Sequence, residues 1–153
     1  MNFDTNGNLP LGFHDMTLAE IEYFLVATFT QSITRRPIFD GYCRLRNTMH
    51  GVGLSGEQYL DGSYTTTKEN PEDLDLVSVI PKNLLDTCPT NIDNEISDAR
   101  LTKTKYGCHS FLVPSVPDGD PEYDFCTEAK NGWLEWFSRD RSGNSKGLVR
   151  TTL

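Results

Sequence analysis

The 153-residue sequence has no apolar run that approaches the roughly 18 residues of a membrane-spanning helix. Its first residues, MNFDTNGNLPLGF, lack the basic region and the long apolar stretch of a secretory leader. The cysteines, Cys43, Cys88, Cys108 and Cys126, are far apart and include no Cys-x-x-Cys pair, so no disulfide framework is indicated. We therefore expect a cytoplasmic protein with reduced thiols and no membrane segment.

Internal repeats and low-complexity segments are also missing from the sequence. Hydrophobic residues make up 37% and charged residues 24%, which is typical of a globular chain on the polar side. A chain of this length has room for one substantial core. We predict a single domain over residues 1–153, with an N-terminal loop over 1–16.

Positive charge is scarce and unevenly distributed. The formal net charge of −8 argues against a protein that wraps DNA. Residues 139–150, however, hold four basic side chains against one acid, namely Arg139, Arg141, Lys146 and Arg150 against Asp140. Two interpretations stay open for this C-terminal segment, 139–153: a solvated basic tail, or a segment that folds back to face an anion such as a triphosphate.

The order of helical and extended patterns indicates the fold class. Thr17 with Glu20 forms a capping-box signature that predicts a helix start. The patterns predict a second helix over 38–49, strands over 57–64, 74–80 and 106–113, a loop over 114–128, a helix over 129–138 and an edge strand over 149–153. We predict an α/β (α+β) domain with one small mixed β-sheet flanked by helices.

Asp73 and Asp75 are the strongest candidates for a functional pair. On a strand, residues i and i+2 face the same side about 6.6 Å apart, so both carboxylates can approach one cation. Mg²⁺ prefers oxygen ligands and uses one or two protein carboxylates together with water and substrate phosphates. Upstream, Gly62 lets the backbone approach a phosphate closely, and Ser63 supplies a hydroxyl that hydrogen-bonds it.

A simpler interpretation is a hairpin with a polar turn around Asn70-Pro71. With 13 aspartates in the chain, about one Asp-x-Asp is expected by chance, and the upstream Gly-Ser lowers that expectation to a few per cent. The functional interpretation predicts that the segment between Ser63 and Asp73, here called the excursion, folds back on itself. The aspartates would then lie beside Gly62-Ser63, with Cα atoms within about 10 Å. The basic segment is expected to approach the same place.

Gly62-Ser63, nine residues, and then Asp73-Leu74-Asp75-Leu76 resembles the signature of nucleotidyltransferases of the DNA polymerase beta superfamily. The opening NGNLPLGFHDMTLAEI and the closing WLEWFSRDRSGNSKGLVR resemble a group of small bacterial and phage nucleotidyltransferase-like proteins of unassigned function. The resemblance covers most of the chain. It implies a mixed sheet with flanking helices, Gly62 and Ser63 at the triphosphate, and Asp73 and Asp75 as catalytic ligands of Mg²⁺ or Mn²⁺.

The sequence departs from that pattern at one position. Active members usually carry a third carboxylate on a neighbouring strand after the pair, and the predicted strand 106–113 contains no acid. His109 is the side chain of this strand that could bind a metal. Two interpretations stay open for it: a third metal ligand, which would favour Mn²⁺, or a hydrogen-bonded core histidine, which we prefer. Asp124 or Glu128 could instead enter the site from the predicted loop. The missing acid weakens the case for catalysis more than the case for nucleotide binding.

Basic and aromatic side chains near the end of the sequence are the remaining candidates for the nucleotide site. Arg141 and Lys146 are candidates for contact with the phosphates. The aromatic residues Trp133, Trp136 and Phe137 are interpreted as core packing rather than as a base-stacking platform.

Three functions follow from these patterns. The first is transfer of a nucleotidyl group from a nucleoside triphosphate to a hydroxyl of a protein or RNA acceptor, with Mg²⁺ or Mn²⁺. The second is a catalytically degenerate member that binds nucleotide or a partner, such as a component of a toxin-antitoxin or phage-defence system. The third is a plain protein-interaction domain whose acidic segment 118–128 binds a basic partner.

Overall fold

The computed structural model describes residues 2–153, which form one five-stranded mixed sheet with helices on both faces. The strands are β1 (Phe13–Asp15), β2 (Glu57–Asp61), β3 (Leu74–Pro81), β4 (Cys108–Ser115) and β5 (Leu148–Thr152). Their spatial order is β1-β5-β2-β3-β4. β2 runs antiparallel to both of its neighbours, whereas β3 and β4 are parallel, as are β1 and β5. The predicted α+β class with a small mixed sheet is confirmed.

The α-helices are α1 (Leu18–Glu22), α2 (Arg35–Gly51), α3 (Lys82–Leu85), α4 (Thr90–Ser97), α5 (Ala99–Tyr106) and α6 (Tyr123–Phe137). A π-helical turn, Tyr23–Ala27, continues α1, and a 3₁₀ turn, Gly62–Thr65, follows β2. None of the helices within residues 2–153 combines the length and the apolar character that a membrane crossing requires.

The sheet separates two hydrophobic clusters, because side chains alternate between its faces. Leu74, Leu76 and Ile80 of β3 belong to the larger cluster, which includes residues of α2. Val77 and Val79 point to the other face and pack with Phe137 of α6. α6 therefore covers part of the second face, on which the odd-numbered residues of β3 and β4 lie.

The two ends of the chain depart from the predicted arrangement. The N-terminal segment is not loop throughout, since β1 pairs in parallel with β5 from Phe13 to Asp15. β5 is not an edge strand, because it lies between β1 and β2. The edge assignment was wrong because β5 pairs with two distant segments, β1 and β2, and no local pattern in residues 149–153 shows these partners.

Two helix starts also differ from the predicted ones. α2 begins at Arg35 rather than Ile38, with Pro37 in its first turn. Proline is tolerated there because the first N–H groups of a helix have no intrahelical partner. α6 begins at Tyr123, so the predicted loop 114–128 ends earlier. All three of its prolines precede the helix, and averaging the composition over the whole segment concealed this.

The predicted capping box is confirmed, whereas the predicted start of the third strand is corrected. Thr17 and Glu20 form the capping box at the start of α1, with the Thr17 Oγ1 accepting from the Glu20 N–H at 3.2 Å. Gly107, in a left-handed conformation with φ of 69°, ends α5 and turns the chain into β4. Tyr106 therefore belongs to the helix and not to the strand.

Candidate active site at the β2–β3 junction

The candidate site lies where β2 ends and β3 begins. Asp61, the last residue of β2, is directly opposite Asp75 in the antiparallel register. Directly opposed residues point to the same face and have closely spaced Cβ atoms. The structure therefore places a carboxylate on β2 next to one of the two predicted aspartates.

The turn that follows Asp61 brings the glycine of the Gly-Ser pair against Asp75. Gly62 has a φ of 76°, and a Cβ at this position would overlap the Asp75 carboxylate. Only glycine provides both this conformation and this approach. Gly62 thus lies beside Asp75, as the predicted excursion requires, and Ser63 is the next residue of the same 3₁₀ turn.

Arg35 anchors the excursion between Ser63 and Asp73 through hydrogen bonds to its backbone. Its buried guanidinium donates to the carbonyl oxygens of Tyr64, Thr66 and Lys68 at 2.7 Å each. Further along, the Asn70 Oδ1 accepts from the Ile33 N–H at 2.9 Å. β2 and β3 do form an antiparallel hairpin, as the simpler interpretation predicted, but the segment that connects them is tied to the start of α2.

Asp73 immediately precedes β3 and pairs with a lysine of α5. The Lys103 Nζ lies 2.6 Å from the Asp73 Oδ2, and this contact raises the pKa of Lys103. Burial, followed by the nearby charge of Asp73, raises the pKa of Asp75. The two aspartates are thus close enough to influence one another, and Asp73 already faces a protein cation.

His109 lies opposite Asp75 on the adjacent strand β4. Its Nδ1 is 3.4 Å from the Asp75 Oδ1, and the side chain is 37% exposed. The preferred interpretation as a core histidine is therefore wrong, because the ring lies at the partly open face of the sheet. Its role as a metal ligand stays a prediction.

Lys146 is the residue of the basic segment that reaches the site. Its Nζ lies 2.6 Å from the Asp61 Oδ1, and both side chains are almost fully buried. Burial raises the pKa of Asp61 to about 6, and the positive charge of Lys146 opposes this rise. The segment thus folds back towards the site, although Lys146 meets a carboxylate of the protein.

Arg141 behaves differently from Lys146. It lies in an exposed turn whose ends are joined by the backbone pair between Arg139 and Ser145. Within residues 2–153 its side chain forms neither an ion pair nor a hydrogen bond. A contact between Arg141 and phosphate stays a prediction.

Asp73 and Asp75 carry hard oxygen donors that are partly exposed and suit Mg²⁺ or Mn²⁺, whereas the carboxylate of Asp61 is almost fully buried. Lys103 and Lys146 already place positive charge against two of these carboxylates. The described part of the chain contains no group of three or more His, Cys, Asp or Glu side chains arranged to hold a metal ion. Two carboxylates with substrate phosphates and water are a sufficient ligand set for Mg²⁺, so the residues present fit this ion.

The sequence reasoning missed Asp61 and Lys103. Asp61 ends the predicted strand before the pair and immediately precedes Gly62, and this could have marked it as a third carboxylate. Nothing in the sequence links Lys103 to Asp73. Asp124 and Glu128 lie on α6 and do not enter the site from a loop.

Residues 1–152 match a family of unknown function, DUF6932, so the chain belongs to this family. No curated protein and no solved structure matches the chain.

Proposed function

We propose that this protein binds a nucleoside triphosphate at the β2–β3 junction and transfers its nucleotidyl group to a hydroxyl acceptor, with pyrophosphate as the leaving group and the hydroxyl proton released to solvent. The observation that supports this most directly is the close packing of the Gly62 turn against Asp75, with Asp61 opposite. A glycine turn packed against one carboxylate, with a second carboxylate opposite, supports a metal-assisted phosphoryl site because backbone and metal ligands then lie side by side.

Each group has a distinct part in this proposal. The backbone of Gly62 and the hydroxyl of Ser63 hold the triphosphate, and Asp73 and Asp75 would hold Mg²⁺ or Mn²⁺. When bound between these aspartates and the phosphates, the ion would supply neutralisation of phosphate charge and alignment of the reacting atoms. Lys103 is half-exposed and would exchange Asp73 for a phosphate oxygen, whereas Lys146, with three N–H donors, would contact a phosphate oxygen while staying paired with the buried Asp61.

Thermal unfolding provides the test. The protein is heated alone and with ATP, GTP, CTP or UTP, each with Mg²⁺ or Mn²⁺. A ligand at 100 times its Kd adds about 2.7 kcal/mol to the free energy of unfolding, so at least one nucleotide should raise the Tm by several degrees. The proposal would be contradicted if none of the four nucleotides raised the Tm.

The double variant Asp73→Asn/Asp75→Asn is the matched control. It should lose the binding of Mn²⁺ and the nucleotide-dependent rise in Tm. The Tm of the ligand-free variant should stay near the wild-type value, because relief of the repulsion between the two carboxylates offsets the loss of the half-exposed Lys103–Asp73 ion pair. A large fall in this Tm would assign the aspartates a structural role instead.

A second candidate is nucleotide binding without turnover, since β4 carries no acid and Asp61 is buried against Lys146. Label transfer from each radiolabelled nucleotide to RNA, to protein and to the chain itself distinguishes the two. Transfer that is lost in the double variant supports the enzyme. Stabilisation without transfer supports a degenerate member, such as a component of a toxin-antitoxin or phage-defence system.

The remaining candidate is a plain protein-interaction domain. This candidate would be favoured if the assays detected neither nucleotide binding nor label transfer. We propose a cytoplasmic location for any of these functions, because the scattered cysteines are all unpaired thiols.

A further inference from the structure

A row of aromatic rings runs along the sheet face that carries the site. The aromatic wall, as we call it, consists of Phe111, Trp133 and Trp136. The ring centroids are 4.2 Å apart for Phe111 and Trp133 and 5.6 Å apart for Trp133 and Trp136. The His109 ring lies 4.7 Å from that of Phe111. Because His109 also contacts Asp75, the wall is continuous with the candidate site.

The direction of α6 places the two tryptophans at the site end of the sheet. At the N-terminal end of α6, Glu122 lies 3.7 Å from Lys82, which follows the far end of β3. Beyond its C-terminal end, the Ser138 carbonyl accepts from the Lys146 N–H, and the Lys146 side chain reaches Asp61. Trp133 and Trp136 lie in the last turns of α6 and therefore towards the end of the sheet at which β2 ends and β3 begins.

Packing within the protein does not account for Trp136. Phe137 is buried in the second cluster, as predicted, whereas Trp136 is 64% exposed, so its assignment to the core was wrong. Trp133 and Trp136, with Glu128, Ala129 and Gly132, line an open cavity of about 410 Å³. Small-molecule pockets are commonly of this size, with mostly apolar walls.

We propose that the aromatic wall binds the base of the nucleoside triphosphate whose phosphates lie at Gly62 and Asp75. This inference rests on the proposed function. A base presents a planar π-face that stacks on tryptophan, whichever base it is. The cavity lining contains no lysine or arginine and includes Glu128, so the wall suits one base rather than a nucleic-acid strand, which needs positive charge along its backbone.

The two tryptophans of the chain are both in the wall, so intrinsic fluorescence reports on it directly. The wild-type protein is titrated with each nucleoside triphosphate and with inorganic tripolyphosphate, all with Mg²⁺. Calorimetry gives the affinities. Both kinds of ligand should bind, but the nucleotides should bind at least about 10-fold more tightly, and they should quench the tryptophan emission.

Trp136→Ala should weaken nucleotide binding by about 10-fold and leave tripolyphosphate binding unchanged. Trp136→Phe should retain most of the nucleotide affinity, because phenylalanine also stacks. Phe125→Ala is the matched control, since Phe125 is an exposed aromatic residue in the first turn of the same helix, at the opposite end. It should bind both ligands like wild type.

The tripolyphosphate arm separates the two proposals. If neither tripolyphosphate nor any nucleotide binds to wild type, the proposed function fails and this inference fails with it. If tripolyphosphate binds but nucleotides bind no more tightly, or if Trp136→Ala binds nucleotides like wild type, the wall is not a base site and the phosphate site stands. Dissociation of a dimer by Trp136→Ala, with unchanged nucleotide affinity, would also overturn the inference and assign the wall to a second copy.

Discussion

Arg35 is a fully buried arginine that connects the start of α2 with the candidate site. Besides the three carbonyl groups of the excursion, it donates to the Leu25 carbonyl at 2.9 Å, and its guanidinium stacks 3.6 Å from the Phe29 ring centroid. Burial lowers the pKa of Arg35 to about 10. A buried cation held by neutral oxygens costs desolvation, but it satisfies carbonyl groups that would otherwise be orphaned.

Arg35→Met should therefore lower the free energy of unfolding by at least about 3 kcal/mol, since each unsatisfied buried carbonyl costs about 1–3 kcal/mol. Urea denaturation measures this change. Arg36→Met is the matched control, because Arg36 is a half-exposed neighbour whose ion pair with Glu22 contributes about 1 kcal/mol or less. Equal losses in the two variants would show that the Arg35 contacts do not hold the excursion.

Gly62 and Gly143 separate a steric effect from a backbone effect. Both have positive φ, 76° and 81°, but a Cβ at Gly62 meets Asp75, whereas a Cβ at Gly143 meets open space. Gly143→Ala should cost about 1–2 kcal/mol through the left-handed conformation alone.

Gly62→Ala should cost about 1–3 kcal/mol more than Gly143→Ala, because the added methyl group displaces the Asp75 carboxylate. It should also abolish the nucleotide-dependent rise in Tm. Urea denaturation and the thermal assay measure the two effects. If Gly62→Ala and Gly143→Ala have the same free energy of unfolding and the same nucleotide-dependent rise in Tm, the close approach of Gly62 to Asp75 is unimportant.

At the scale of elements, Asp140 organises the turn between α6 and β5. Its carboxylate accepts from the side chains of Asn8 and Asn144, at 3.0 and 2.9 Å, and from the backbone N–H groups of Ser142 and Asn144. These hydrogen bonds, with that from Asn144 first, lower the pKa of Asp140 to about 2. The turn that carries Lys146 to the site is thereby attached to the N-terminal segment.

Because the folded-state pKa of Asp140 lies below its ordinary value, its contribution to stability is present above about pH 4 and is lost as the pH falls towards 2. Asp140→Asn should therefore lower the Tm at pH 7, and the gap from wild type should shrink steadily between pH 4 and pH 2. Asp118→Asn, which changes an exposed acid in the loop before α6, controls for loss of charge. A gap that is independent of pH would contradict this role.

For the whole molecule, the two ends of the chain form neighbouring strands. β5 fills the position between β1 and β2, Val149 is fully buried, and the Thr152 carbonyl accepts from Arg46 at 2.7 Å. The C-terminal residues therefore complete the sheet around which both hydrophobic clusters form.

A chain that ends at Gly147 should not fold cooperatively, because it loses an interior strand and leaves β1 without its partner. Circular dichroism with thermal and urea unfolding measures this. Val149→Ala provides the graded control and should fold, with a loss of about 2 kcal/mol. Cooperative unfolding of the truncated chain would show that the remaining strands form a stable sheet without β5.

Local sequence patterns determined several features of this protein. The alternation of Asp73 and Asp75 with Leu74 and Leu76 predicts which side chains are buried, because the side-chain period of a strand is two residues. The Thr17 capping box and the division into helices and strands depend on interactions within a few residues. The capping box and the strand alternation agree with the structure, whereas the division into helices and strands agrees only in part, because β1 and the starts of α2 and α6 were not predicted.

The tertiary structure alone decided which distant groups meet at the candidate site. Asp61 opposes Asp75 because β2 and β3 pair in one particular register, and Lys146 reaches Asp61 because β5 enters the sheet beside β2. Trp136 is exposed because of the way α6 rests on β4, although its spacing alone resembles that of a core residue. Strand register and helix placement depend on the packing of the whole core, so no local pattern encodes these contacts.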